Sequence, residues 1–144
     1  MGARYLVTKI GTAGVVGNDD MTITAAAGRS LKLWRYVTGA QGVASANNEI
    51  TIMRSTGGAT PVAIVPVPKN PAFAAASFTA AGSWTTQPTA GAIIERVSVN
   101  STGGVTPQTF LPGYEIDVPG GGQVSLRRAT GTGILTWTVE IEEI

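Results

Sequence analysis

Apolar and polar residues alternate in short runs along most of this chain. The clearest run is ILTWTVEIEEI, Ile134–Ile144. There Leu135, Trp137, Val139 and Ile141 share one face, and Thr136, Thr138, Glu140 and Glu142 share the other. A period of two marks a strand with one buried face. LKLWRYV, Leu31–Val37, alternates the same way. The spacing puts Leu31, Leu33, Arg35 and Val37 on one side and Lys32, Trp34 and Tyr36 on the other. MTITAAA (Met21–Ala27), EITIMRS (Glu49–Ser55), AIIERVSVN (Ala92–Asn100) and QVSLRRA (Gln123–Ala129) add further strands. PVAIVPV, Pro61–Val67, is apolar, but its prolines place it at a sheet edge or bend. Gly-rich breaks separate the runs at the spacing of a sandwich or barrel. No long helical periodicity appears. The expected fold is all-β: one β-sandwich or jelly roll of about eight strands.

Two segments read two ways. Asn70–Gly82 (NPAFAAASFTAAG) has an N-cap Asn, Pro at the first position, alanines and a closing Gly. By propensity it is a helix. It also reads as a strand of small residues. Residues 1–20 are either an extended N-terminal arm or a first strand plus loop, ahead of a sandwich domain over residues 21–144. As an arm, ARYLVTKI (Ala3–Ile10) could add a strand to a neighbour's sheet and would offer Tyr5, Val7 and Lys9 as contacts.

One heptad occurs twice, as STGGATP (Ser55–Pro61) and STGGVTP (Ser101–Pro107). The flanks match too: EITIMRSTGGATPVAIVP beside ERVSVNSTGGVTPQTFLP. Gly-Gly takes positive backbone angles at little cost, and Thr-Pro forces an extended exit. A phosphate loop needs Lys-Ser/Thr after the glycines and a helix behind them. Neither copy has these, so both read as strand–turn–strand corners. Gly120–Gly122 reads likewise.

Composition narrows the chemistry. The 144 residues hold no Cys and no His. Thiolate and disulfide chemistry are excluded, as are His-based triads and the commonest metal ligand. Charged residues make up 13% of the chain, about half the usual share. A surface so poor in charge points to assembly; a small monomer solvated by Thr and Ser is the plainer alternative. Net charge is +1 without a basic cluster, so no nucleic-acid footprint is expected. No apolar run reaches membrane-spanning length, and no signal peptide is legible at the start.

The candidate acids are Asp19–Asp20, Glu115 with Asp117, and Glu140 with Glu142. Neighbours on one strand do not oppose each other across a cleft as a glycosidase requires. They read as a turn and solvent faces, and two acids in a turn are weak evidence for Ca²⁺. No catalytic, cofactor or metal residue is assigned. The three tryptophans raise a sugar-binding alternative. Trp137 falls on a core face. Trp34, beside Lys32 and Tyr36, and Trp84, in a turn-rich segment, are candidates for an interface. Arg127–Arg128 is the only adjacent basic pair.

The order of segments then resembles a known family. A GGTP-like corner precedes PVPKNPAFAAASFTAAGSWTTQPTAG; FLPGYEIDVPGGGQVSLRRATGTG and a terminal WTVEIEE follow. This pattern is similar to small structural proteins of tailed-bacteriophage heads, over roughly residues 30–144. The resemblance implies a sandwich or jelly roll, often trimeric, that decorates or cements the capsid. It implies a strand over Phe73–Ala81, a virion location after assembly in the host cytoplasm, and the major capsid protein as partner, with neither nucleic acid nor membrane involved. The contact residues then expected are Tyr5, Val7, Lys9, Trp34, Tyr36, Trp84, Arg127 and Arg128. The alternatives are a carbohydrate-binding module in host attachment and another tail or neck component.

Overall fold

The computed structural model describes residues 2–42 and 44–144. Two antiparallel sheets face each other, and among the described residues there is no helix. One sheet contains β1 (Ala3–Ala13), β3 (Leu31–Ala40), β6 (Val67–Pro68), β9 (Val105–Thr109), β10 (Ile116–Val118) and β12 (Ile134–Glu143). Its order is β10-β3-β12-β1-β6, with β9 also on β3. The other contains β2 (Asp19–Thr24), β4 (Asn47–Thr56), β5 (Val62–Ile64), β7 (Thr79–Gly82), β8 (Thr89–Asn100) and β11 (Gln123–Thr130), in the order β5-β7-β2-β11-β4-β8. The all-β sandwich expected from the alternating runs is what forms.

The core lies between the sheets. Val7, Leu33, Leu135, Trp137, Val139 and Ile141 meet Met21, Ile23, Ile50, Ile52, Val124 and Leu126. On β12 the alternation holds, with Leu135, Trp137, Val139 and Ile141 all inward and buried. Residues 3–13 form the first strand. β1 pairs with β12 from Ala3↔Glu143 to Ala13↔Ile134. Of the two readings of residues 1–20, the structure has the strand and loop, so Tyr5 and Val7 lie in the core.

β3 departs from its expected alternation. Glu140 faces Arg35 but Ile141 faces Leu33, so Trp34 is an extra residue, a β-bulge. A bulge moves every later side chain to the opposite face. Leu31 and Leu33 point inward as read, but Tyr36 and Thr38 then follow them in place of Arg35 and Val37. A second bulge lies on β2. Leu126 faces Met21 while Arg127 faces Asp19, which leaves Asp20 extra.

Asn70–Phe78 is neither helix nor strand. It starts with a turn, in which Phe73 N–H donates to Asn70 O at 2.9 Å. It continues irregularly into β7. The strand expected over Phe73–Ala81 is therefore present only from Thr79.

Candidate functional site

The consecutive acids of the GNDDM turn are buried, not solvated, and the Asp20 bulge sends them in opposite directions. Asp20 enters the space between the sheets. There Arg128, 1% exposed, donates to its Oδ2 from Nε (3.2 Å) and Nη2 (2.9 Å). Trp137 Nε1 donates to the same oxygen at 3.1 Å. Arg128 Nη1 also donates to Asn48 Oδ1 (3.1 Å) and to Gly133 O (2.9 Å). Asn48 Nδ2 donates to Ser101 Oγ at 2.8 Å. The guanidinium lies so close to Gly14 that a Cβ there would fall on it.

Asp19 lies on the outer face of its sheet, with both oxygens engaged. Arg127 Nε donates to Oδ1 at 2.6 Å, and Thr22 Oγ1 (2.7 Å) and Ser125 Oγ donate to Oδ2. Ser55 and Ser125 hydroxyls are 2.7 Å apart. Trp84 covers this network, its Nε1 donating to Thr22 Oγ1 at 3.0 Å. Its ring lies against Gly58, where a Cβ would come within 2.7 Å of it.

The heptad repeat thus acquires two uses. Both serines are buried, Ser55 on Ser125 and Ser101 on Asn48. The first copy joins β4 to β5 within one sheet and bends through positive φ at Gly57, Gly58 and Thr60. The second crosses between the sheets, with positive φ at Gly104 alone and its Thr-Pro already inside β9.

Glu140 and Glu142, read as a solvent face, are 7% exposed. Arg4 (3.2 Å) and Lys69 (3.1 Å) donate to Glu140 Oε1. Burial alone would raise the Glu140 carboxyl, but the bonds and charges of Lys69 and Arg4 hold it below its ordinary value. Trp34 Nε1 donates to Glu142 Oε2 at 2.6 Å, and the Arg4 guanidinium stacks 4.4 Å over the Trp34 ring.

The expected contact residues are therefore mostly spoken for. Tyr5 and Val7 are core, and Tyr36 is wedged between Phe110 and Trp137 at 6.0 and 6.1 Å. Trp34 and Trp84 are half-buried and committed to neighbours. Arg127 and Arg128 are the cations of the two aspartate networks. Lys9 lines a pocket of about 80 Å³ with Asp19, Asp20 and Gln87. Burial lowers its amine, and the two aspartates oppose that shift. The structure brings Lys9, Arg127 and Arg128 together around Asp19–Asp20, with Arg128 between the sheets and Arg127 on the outer face of one of them.

What remains at the surface was not legible as a site. Between Arg54 and Glu95, the forty residues 55–94 contain one charge, Lys69, and Lys69 is bound to Glu140. Within this stretch Val62, Val65 (77% exposed) and Val67 project from the flank where β5 and β6 edge the two sheets. On the opposite flank, a cleft of about 520 Å³ lies between β8 and the loop from β9 to β10. Summing charge along the chain, rather than over it, would have found the first flank. Among the described residues no three acidic side chains converge to hold a metal ion.

No family model matches the chain, and neither a curated protein nor a solved structure matches it.

Proposed function

We propose that this chain is a virion structural protein, a decoration or cement protein that binds the outside of a phage head and stabilises contacts between major capsid subunits, acting as a homotrimer. The observation that carries the reading is the uncharged valine flank of Val62–Pro68. Protein contacts are depleted of charge at their centres, and contiguous exposed apolar surface on a soluble domain marks an interaction site. Pro61, Pro66 and Pro68 remove three backbone donors from this edge, which disfavours its extension as a sheet. Contact there is made by side chains packing on a neighbour. Three such contacts per trimer add through multivalency, so weak patches suffice to hold a shell.

The strand order supports a jelly-roll reading of the sandwich. β1, β12, β3 and the β9–β10 edge form one four-strand layer, and β2, β11, β4 and β8 the other. First and last strands adjoin, and the chain alternates between layers from β1 to β4. On this reading about eight strands are the frame, and β5–β7 are an insertion that carries the apolar flank. The ion-pair networks fit a structural role: they tie neighbouring strands within each sheet and satisfy buried charges instead of leaving reactive groups in a cleft.

The test is cosedimentation of the purified protein with heads of its own phage that lack it. Saturable binding at a fixed ratio to capsid protein, with a rise in the temperature at which the heads rupture, supports the proposal. Absence of binding removes it.

A further inference from the structure

The cleft on the opposite flank has a different character from the valine surface. It is open, mixed in polarity, and about 520 Å³ in volume, within the roughly 300–1,000 Å³ of small-ligand sites. Its walls come from both sheets: Arg54 from β4, Glu95 from β8, Phe110 and Tyr114 from the loop, and Asp117 from β10. Tyr114 is 76% exposed, yet it stands on a built turn. Its N–H donates to Leu111 O at 2.9 Å. Gly113 takes φ 90°, and its N–H donates to Glu115 Oε2 at 2.8 Å. Lys32 then holds Glu115 from 3.7 Å. An aromatic side chain, largely in water, is thus presented on a hydrogen-bonded turn.

The charged groups of the cleft do not satisfy one another. Arg54 Nη1 donates to the backbone oxygen of Asp117, and among the described residues no carboxylate lies within ion-pair distance of Arg54. Glu95 has no cationic partner within that distance either; the buried Tyr36 phenol faces it, and burial and then the Glu95 charge push that phenol up. The cleft therefore offers a donor and an acceptor from one sheet, Arg54 and Glu95, and a second acceptor, Asp117, from the other.

This mixture selects a ligand chemistry. An anion would meet Glu95 and the carboxylates of Glu115 and Asp117, which Lys32 already engages at 3.7 and 4.0 Å, and a cation would meet Arg54. A neutral polyol meets neither penalty, because each hydroxyl both donates and accepts. The negative face of an aromatic ring attracts the weakly positive C–H face of a pyranose. We propose that the cleft between β8 and the β9–β10 loop is a binding site for a neutral saccharide, with Tyr114 as the stacking platform, Arg54 as donor, and Glu95 and Asp117 as acceptors. The site is on the flank away from Val62–Pro68 and does not rest on the capsid reading.

The experiment uses the full chain and saturation-transfer NMR. The probes are neutral disaccharides built from glucose, galactose, mannose and N-acetylglucosamine, compared with sialyllactose and a sulfated disaccharide. The expected result is saturable binding of at least one neutral probe, weakened tenfold or more in Tyr114→Ala and in Glu95→Gln, and unchanged in Trp84→Phe. Tyr114 is exposed, so its variant should fold, and circular dichroism checks this. No signal from any neutral probe, equal binding by Tyr114→Ala, or preference for the charged sugars overturns the proposal. A fall in oligomer mass in Tyr114→Ala without saccharide binding likewise overturns it and makes the cleft a protein contact.

Discussion

Replacing Arg128 by Met tests the ion pair buried between the two sheets. The side chain keeps its length and apolar stem but loses the guanidinium. In the native fold that group makes two bonds to Asp20 and one each to Asn48 and Gly133. Without it, Asp20 stays buried with Trp137 Nε1 as its one remaining side-chain donor among the described residues, and the Gly133 carbonyl loses the Arg128 bond. Removing one member of a buried ion pair costs about 3–5 kcal/mol. In a chain of this size each kcal/mol shifts Tm by about 3 °C, so the melt falls by about 10–15 °C. Urea unfolding followed by tryptophan fluorescence gives the free energy. Asp20→Asn and the double variant complete a cycle. The double variant has no uncompensated buried charge, so it should be more stable than the sum of the two single losses allows. A single-variant cost below about 1 kcal/mol, or strict additivity, would refute the idea that Arg128–Asp20 is a coupled internal tie.

Three further outcomes follow from the same contacts. Gly14→Ala displaces the Arg128 guanidinium, which is bonded on every side, and should cost about 1–3 kcal/mol in the same unfolding assay. Among the described residues Thr38 Oγ1, which is buried, has no hydrogen-bond partner; Thr38→Val should therefore raise stability by about 1 kcal/mol, read as a higher urea midpoint. Glu140 has a folded pKa below its ordinary value, so its contribution is present above that ordinary value and is lost as pH falls through the folded one. The stability gap between wild type and Glu140→Gln should then be open at pH 6 and close toward pH 3, as measured by melts across that range.

The sandwich was legible because β12, β4, β11 and the part of β2 after its bulge carry apolar residues at every second position, and these face the core. β3 was legible only as far as Leu33. The Trp34 bulge is set by how β12 pairs across from it, a long-range fact that a local pattern does not carry. The same limit hid the acids. Asp19–Asp20 resemble a turn because their partners, Arg127 and Arg128, are more than a hundred residues away in sequence. Glu140 and Glu142 do face outward as the alternation requires. They are buried because Arg4, Lys69 and Trp34 fold over them. In Asn70–Phe78, helix propensity is outweighed by the close placing of Tyr5 and Glu143, to which Ala74 O and Ser77 bind. The repeated heptad was correctly read as joining strand to strand, but its serines gave no sign of being interior hydrogen-bonding pegs.

The central claim is that this chain assembles through the uncharged flank of its insertion. The most direct measurement is absolute mass by light scattering on a sizing column, for the wild type and for Val65→Glu, over a hundredfold dilution. The account predicts a wild-type mass of roughly 44 kDa, three copies of 14.7 kDa, independent of dilution, and a shift toward one copy in Val65→Glu. A wild-type monomer at every concentration, or a trimer that Val65→Glu leaves intact, would contradict it.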